Sequence, residues 1–436
     1  MNRNFILSCF GLEEAKLSSC NEVFNEEDNV ITYYIEFLRN TSCCPFCGST
    51  HLNVKGYYNP CLNGSILHNV KVFLRPKIRR YLCMRCKKTF KENVNINPFK
   101  KRISEKVIEN IKIDLCKKLT YTFIASEYNV SVTNVINIFD SMADIPRHQL
   151  PKVMCVDEFK FVNDARHKSR YPFVMSEPFT SKIIDIVEYR TKDVLVDYFT
   201  KIPAFQRNFV EFYVTDMNET YRYIHKKFFP NSIHIVDHFH ISELFTSQLQ
   251  SLRIRIMKEN MNEYNMEEYK CLKKNWKYFL MRKHKALSIL VDENGMCEDI
   301  YFKIERMFRH YPAFSYLYNS REEFFDVMVK MKDWEETEQW MDFFIQKFAD
   351  STIPELRSIG RSLINWKTEI INAYAKNKYG FCLTNAVAEA NNKNIKSLIN
   401  IANGYTNFTR FRKRVLYIDA FKHIKKEWKI IPFLPH

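Results

Sequence analysis

Glycine is nearly missing from this sequence: eight occur among 436 residues. So sparse a supply excludes glycine-rich phosphate loops and flexible glycine linkers. No apolar run approaches the roughly 18–20 residues that a membrane span requires. The N-terminal stretch MNRNFILSCFGLEEAK carries a short apolar patch but no small-residue cleavage site, so no signal peptide is read there. Internal repeats and low-complexity tracts are absent, and no serine or cysteine triad points to a protein nucleophile. The thirteen cysteines are odd in number and mostly scattered. That pattern suits a reducing cytosol with a metal site better than a disulfide scaffold.

What is present is a chain long enough for two or three domains, with 46% hydrophobic and 15% aromatic residues, which excludes global disorder. A formal charge of +16 fits a polyanionic partner, most commonly nucleic acid, although a generally lysine-rich background would read the same by charge alone. The pattern divides into a short lead-in (1–40), a cysteine-bearing segment (41–95) and a helical segment (100–148). A mixed segment (150–241) follows, then a long helical one (242–380) and a basic helical end (381–436). The mixed segment reads β-β-β-α-β-α-β, a mixed α/β layer pattern.

Cys44-Pro-Phe-Cys47-Gly48 and Cys83-Met-Arg-Cys86 supply two tight turns, each with two thiolates. Together they complete a tetrahedron for Zn²⁺, a zinc ribbon; reduced core cysteines are the competing reading. The stretch KVFLRPKIRRYLCMRCKKTFK interleaves basic and aromatic residues, and places Arg79, Arg80, Arg85 and Lys87 to follow phosphates. Next, LTYTFIASEYNVSVTNVINIFDSM reads as a helix-turn-helix. Thr120 and Ser131 are its N-caps, Ile124, Ala125, Val132, Val135 and Ile136 face inward, and Thr133, Asn134 and Asn137 face a major groove.

Two apolar strands end on aspartates, Asp157 in VMCVDEFKF and Asp216 in VEFYVTDM. On neighbouring strands their carboxylates would lie about 5 Å apart or twice that, an arrangement suited to two Mg²⁺ or Mn²⁺ ions clamping a phosphodiester. A third carboxylate, Glu389, sits in a helix whose following face carries Asn391, Asn392, Lys393 and Lys396, suited to bordering a metal site with a phosphate-binding surface. Singly, each acid reads better as a surface carboxylate; the order of the three, on strand, strand and helix, is what favours a shared site.

The stretches CPFCGS…YLCMRCKKTF, VDEFKF…RYPFV, VTDMNETY…FPNSIHIVDHFHI and AEANNKNIKSLINIANGYTNFTRFRKRVL stand in an order that resembles the bacterial insertion-sequence transposases of the ISL-three type. The resemblance implies a multidomain α+β chain: zinc ribbon, helix-turn-helix, and an RNase H-like mixed sheet split by a large all-helical insertion. It implies DNA transposition, with Asp157, Asp216 and Glu389 as the catalytic, Mg²⁺- or Mn²⁺-holding acids. It also implies binding of terminal inverted repeats and target DNA by a homodimer or larger oligomer, in the bacterial cytoplasm at the nucleoid, with no membrane partner. Lys168 and Arg170 fall in the basic-aromatic run after the first strand as phosphate contacts. Asp237 matches an architectural feature of the fifth strand, with a metal-ligand role as its alternative. Ala390 stands where the family pattern has glycine. The tail FTRFRKRVLYIDAFKHIKKEWK, with Arg410, Arg412 and Arg414, is expected to lie along DNA. Two other readings stay open: a DNA-binding repressor with an inactive transposase-like half, and a simple RNase H-like nuclease.

Overall fold

The computed structural model describes residues 12, 16–67, 70–94, 103, 105–161, 170–259, 266–293, 296–375, 380 and 382–430. The chain forms two compact units, residues 1–146 together with 395–436, and residues 147–394.

In the first unit, β1 (Leu17–Asn25) and β2 (Val30–Phe37) form an antiparallel hairpin whose turn places Asn29 at φ 54°. β3 (Leu52–Tyr58), β4 (Leu62–Leu67) and β6 (Thr89–Lys91) all pair antiparallel with β5 (Val70–Cys83). β5 is 14 residues long, and its first half also runs parallel to β2. The lead-in and the cysteine segment therefore share one strand. Strand alternation explains how β5 serves both ends: Val72 and Leu74 enter a core with Tyr33, Ile35 and Leu62, while Tyr81 and Cys83 are buried further along.

Three helices follow: α1 (Glu105–Leu115), α2 (Tyr121–Glu127) and α3 (Val132–Ser141). Thr120 and Ser131 are the N-caps of α2 and α3, accepting from Phe123 N at 2.9 Å and Asn134 N at 3.2 Å. Each such cap is worth about 1 kcal/mol. Ile108, Ile111, Leu115, Ile124, Ala125, Val135, Ile138 and Phe139 form the core between them. The inward face of α3 thus differs from the expectation. Val135, Ile138 and Phe139 turn in at helical spacing, which leaves Val132 exposed and Ile136 half-buried on the next face.

The second unit opens with β7 (Val153–Glu158), β8 (Phe173–Ser176) and β9 (Ile183–Val187), successive antiparallel neighbours. Then come α4 (Lys192–Thr200), α5 (Ala204–Arg207), β10 (Phe212–Thr215), α6 (Glu219–Phe228) and β11 (Ile233–Val236). The sheet order is β11-β10-β7-β8-β9, with β10 parallel to both neighbours. One face carries Met154, Val156, Phe173 and Tyr213 against Leu195, Phe199, Tyr221 and Ile224 of α4 and α6.

The opposite face carries Val153, Cys155, Phe212, Val214 and Ile235, which merge with a helical block. That block runs from α7 (His238–Glu259) through α8 (Met266–Lys274), α9 (Trp276–Leu280), α10 (Lys283–Leu287) and α11 (Ile300–Phe308). It continues with α12 (Pro312–Met328), α13 (Trp334–Ala349), α14 (Pro354–Asn365) and α15 (Lys367–Tyr374). Phe245, Leu249, Phe314, Phe324, Phe344 and Leu363 join it to the sheet as one continuous core. It is not wholly helical as the periodicity predicts: a hairpin, β12 (Leu290–Glu293) and β13 (Met296–Asp299), interrupts it.

The chain then forms α16 (Ala386–Ile401) and α17 (Phe408–Ile430). In the first unit α17 overturns the expectation of an open basic helix. Phe411, Val415 and Leu416 are buried, and Tyr417 packs on the core of α1, α2 and α3. Arg414 is completely buried and donates to the carbonyls of Lys117 (3.1 Å) and Leu119 (2.9 Å) beyond α1. Arg410 holds Asp140 through two nitrogens at 2.8 and 2.9 Å, and Arg412 donates to the Ile145 carbonyl. The physical reason is that the irregular chain beyond α1 and α3 has backbone carbonyls that need donors, and arginine side chains supply them.

Candidate active site and metal centre

The four cysteines meet. Cys44 Sγ lies 3.7 Å from Cys86 Sγ, and Cys47 Sγ lies 3.6 Å from Cys83 Sγ. A tetrahedral ion with bonds of ~2.3 Å sets its sulfurs about 3.8 Å apart, so this group could bind zinc. The two turns are alike. Gly48 N donates to Cys44 O and Lys87 N to Cys83 O, both at 2.9 Å, and both donors have positive φ, 71° and 58°. Backbone N–H groups of Cys86 and Arg85 pull the Cys83 thiol down to about 6, toward the thiolate a metal takes. Among the described residues this is the group of three or more ligand side chains that closes to within 4.8 Å; Asp157, Asp216 and Glu389 do not all lie that close to one another.

The acids of the second unit are set by strand register. Val214 pairs with Cys155 and Thr215 with Val236. Two residues further along that register Asp216 stands beside Asp157, and one residue further it stands beside Asp237. The strand ends are spaced at ~4.8 Å. Asp157 and Asp216 share a side of the sheet with Cys155 and Val214. Asp237 is 3% exposed, and both its oxygens are taken: Asn385 N donates to Oδ1 at 2.8 Å and Phe239 N to Oδ2 at 3.2 Å.

Helix α16 is fastened to the end of β7 by two asparagines. Asn385, just before it, donates its side-chain amide to Val156 O at 2.9 Å. Asn392 donates to Asp157 Oδ2 at 2.7 Å and to Glu158 O at 3.1 Å. Glu389 lies four residues after the first and three before the second. Those spacings put all three on one face of the helix. Asn391 is also buried, donating to Ser176 Oγ at 2.9 Å.

Burial pushes Asp157 up to about 6 and Asp216 up to about 7; the charge of Glu158 pushes the same way, and that of His240 opposes it. Oδ1 of Asp216, Asn385 and Asn392 are buried with no hydrogen-bond donor among the described residues. Buried acceptors without donors, beside two destabilised carboxylates, fit a divalent cation that prefers oxygen.

The remaining site residues read from sequence fall as follows. Arg80, Arg85, Lys87, Thr133, Asn137, Lys393 and Lys396 are exposed, and Asn134 is half-buried. Arg79 is tied to Phe37 O at 2.9 Å and Glu92 at 3.1 Å. Asn392 is 4% exposed and holds a carboxylate, which corrects its reading as a phosphate contact. Arg170 pairs with Glu188 at 3.3 Å, and Lys168 lies outside the described residues. Asn385, Glu158, Arg190 and Tyr221 were not singled out from the sequence. Glu158 directly follows Asp157, and Asn385 opens the helix of Glu389; those adjacencies were the available signals.

Among the described residues no helix is long and apolar enough to cross a membrane. Residues 154–415 match a transposase family, the DDE transposases of the ISL-three type. The match spans well over half of the chain, and the chain belongs to this family. No curated protein matches it. Family membership makes DNA the partner and an insertion sequence the setting.

Proposed function

We propose that the protein cuts the ends of its insertion sequence and joins them to target DNA, with Asp157, Asp216 and Glu389 as the catalytic acids. The observation that carries this reading is the bond from Asn392 to Asp157, which fastens the helix of Glu389 to the strand end of the aspartates. The order β11-β10-β7-β8-β9, with β8 running antiparallel to the other four strands, supports an RNase H-like reading of the sheet. Divalent cations, Mg²⁺ or Mn²⁺, would supply charge stabilisation at the attacking and leaving oxygens of an in-line phosphoryl transfer.

The chain's own part is to hold the acids. Strand register fixes Asp157 against Asp216, and the two asparagines fix the helix of Glu389 on the same strand end. Asp237, almost fully buried and held by the backbone N–H groups of Asn385 and Phe239, is read as supporting the turn. In the first unit, the capped helices α2 and α3 support a helix-turn-helix with Thr133 and Asn137 outward, and the four cysteines support a zinc ribbon with Arg80, Arg85 and Lys87 outward. Both would bind terminal repeats, and joining two ends calls for at least a pair of chains, working in the bacterial cytoplasm.

The test is a supercoiled plasmid carrying the element's ends, incubated with the protein in Mg²⁺. Nicking at the ends supports the reading. Binding without nicking favours a repressor, and nicking without joining favours a simple nuclease.

A further inference from the structure

Glu158 is a charged group that the proposed chemistry leaves unused, although it sits next to Asp157. Both of its oxygens are occupied. Tyr221 OH donates to Oε2 at 2.6 Å, and Arg190 Nη1 is ion-paired to Oε1. Its evident work is to hold Arg190. The backbone N of Arg190 donates to Tyr171 O at 3.0 Å, and its guanidinium lies over the Tyr171 ring, 5.0 Å from the centroid. Phe173 pairs with both Glu158 and Val187, so the chain leaves β9 toward Arg190 at the same sheet edge where β7 ends on its acids. The side chain is 36% exposed.

We propose that Arg190 is a phosphate-binding residue of this site, a guanidinium fork for one phosphate of the DNA strand being processed; the inference rests on the phosphoryl-transfer reading above. Carboxylates alone repel a phosphodiester, and Asp216 and Arg190 already interact electrostatically. A guanidinium has five N–H donors, more than Glu158 and Tyr221 take, and its planar edge matches two phosphate oxygens at once. Glu158 and Tyr171 fix that plane in advance, so little rotamer freedom is lost when a phosphate arrives.

The experiment uses the full chain, Mg²⁺ and element-end duplexes in which single phosphates around the cut are replaced by neutral methylphosphonates. Wild type is compared with Arg190→Gln and Arg190→Lys. At one position the replacement slows wild-type cleavage roughly 10–100-fold, the scale of a charge-assisted bond. At that position it adds little to the loss already caused by Arg190→Gln, because both remove one contact. Arg190→Lys, which keeps a cation without the fork, shows the same non-additivity with a smaller loss, and carries the comparison if Arg190→Gln does not fold. Losses that multiply at every position overturn the inference while leaving the phosphoryl-transfer reading intact. A wild type that cuts no unmodified end overturns that reading, and this inference with it.

Discussion

The side-chain amide of Asn392 lies 2.7 Å from Oδ2 of Asp157, across 235 positions of sequence. One oxygen of the aspartate is thereby fixed, and Glu389 is delivered one helical turn away. Groups that orient a metal-holding carboxylate typically matter 10–100-fold, so Asn392→Ala is expected to slow end cleavage by roughly that factor. The loss shrinks as Mg²⁺ is raised, and binding to element ends is unchanged. Single-turnover cleavage across a Mg²⁺ series, beside a binding titration, checks this.

Asp216 gives a pH signature. Burial raises it from the ordinary 3.8 to about 7, so the folded, cation-free protein keeps a proton there that the unfolded chain releases. The stability this group contributes is full below about pH 4 and is lost as pH rises through about 7. Asp216→Asn, which carries no charge, is therefore expected to melt higher than wild type at pH 8 in chelator, with the gain fading toward pH 4. Added Mg²⁺ raises the wild-type melting temperature at pH 8 and leaves the variant unmoved. Thermal melts at several pH values, with and without Mg²⁺, read both effects.

The cysteine group predicts one zinc per chain. Cys83→Ser removes a sulfur that stands 3.6 Å from Cys47 Sγ. Zinc content by mass spectrometry of the metal falls toward zero, and binding to element ends weakens, because Arg80, Arg85 and Lys87 lie on β5 or the turn that follows it.

Arg414 separates a structural cation from a DNA contact. Its Nη2 holds two carbonyls beyond α1, and the side chain is fully buried. Arg414→Met removes the side-chain donor of the Leu119 carbonyl, while Lys117 O keeps the Leu119 N–H at 2.9 Å, and is expected to cost about 2 kcal/mol of stability. The salt dependence of DNA binding by the folded variant stays as in wild type, since no phosphate contact is lost. Denaturant melts and binding at several salt concentrations test the two halves of this statement.

The caps Thr120 and Ser131 were legible because a hydroxyl before an amphipathic run has few other uses. The Cys-x-x-Cys turns were legible for the same kind of reason, with Gly48 marking the left-handed position. Lys87 takes the same conformation with a residue type that gives no hint of it. The strand ends at Asp157 and Asp216 follow from local pattern, whereas the work of Asn385 and Asn392 does not. Beside Lys393 and Lys396 an asparagine reads as polar surface, and only the distant end of β7 makes it a buried clamp. Arg414 was misread because a basic helix and a helix that satisfies its neighbours' carbonyls have the same composition.

The central claim is that Asp157, Asp216 and Glu389 hold divalent cations in common. Anomalous diffraction from crystals grown in Mn²⁺ tests it most directly. The account predicts manganese peaks within bonding distance of Asp157, Asp216 and Glu389, absent from Glu389→Gln crystals at the position that residue ligates. Manganese bound elsewhere, with Glu389 turned away from both aspartates, would contradict it.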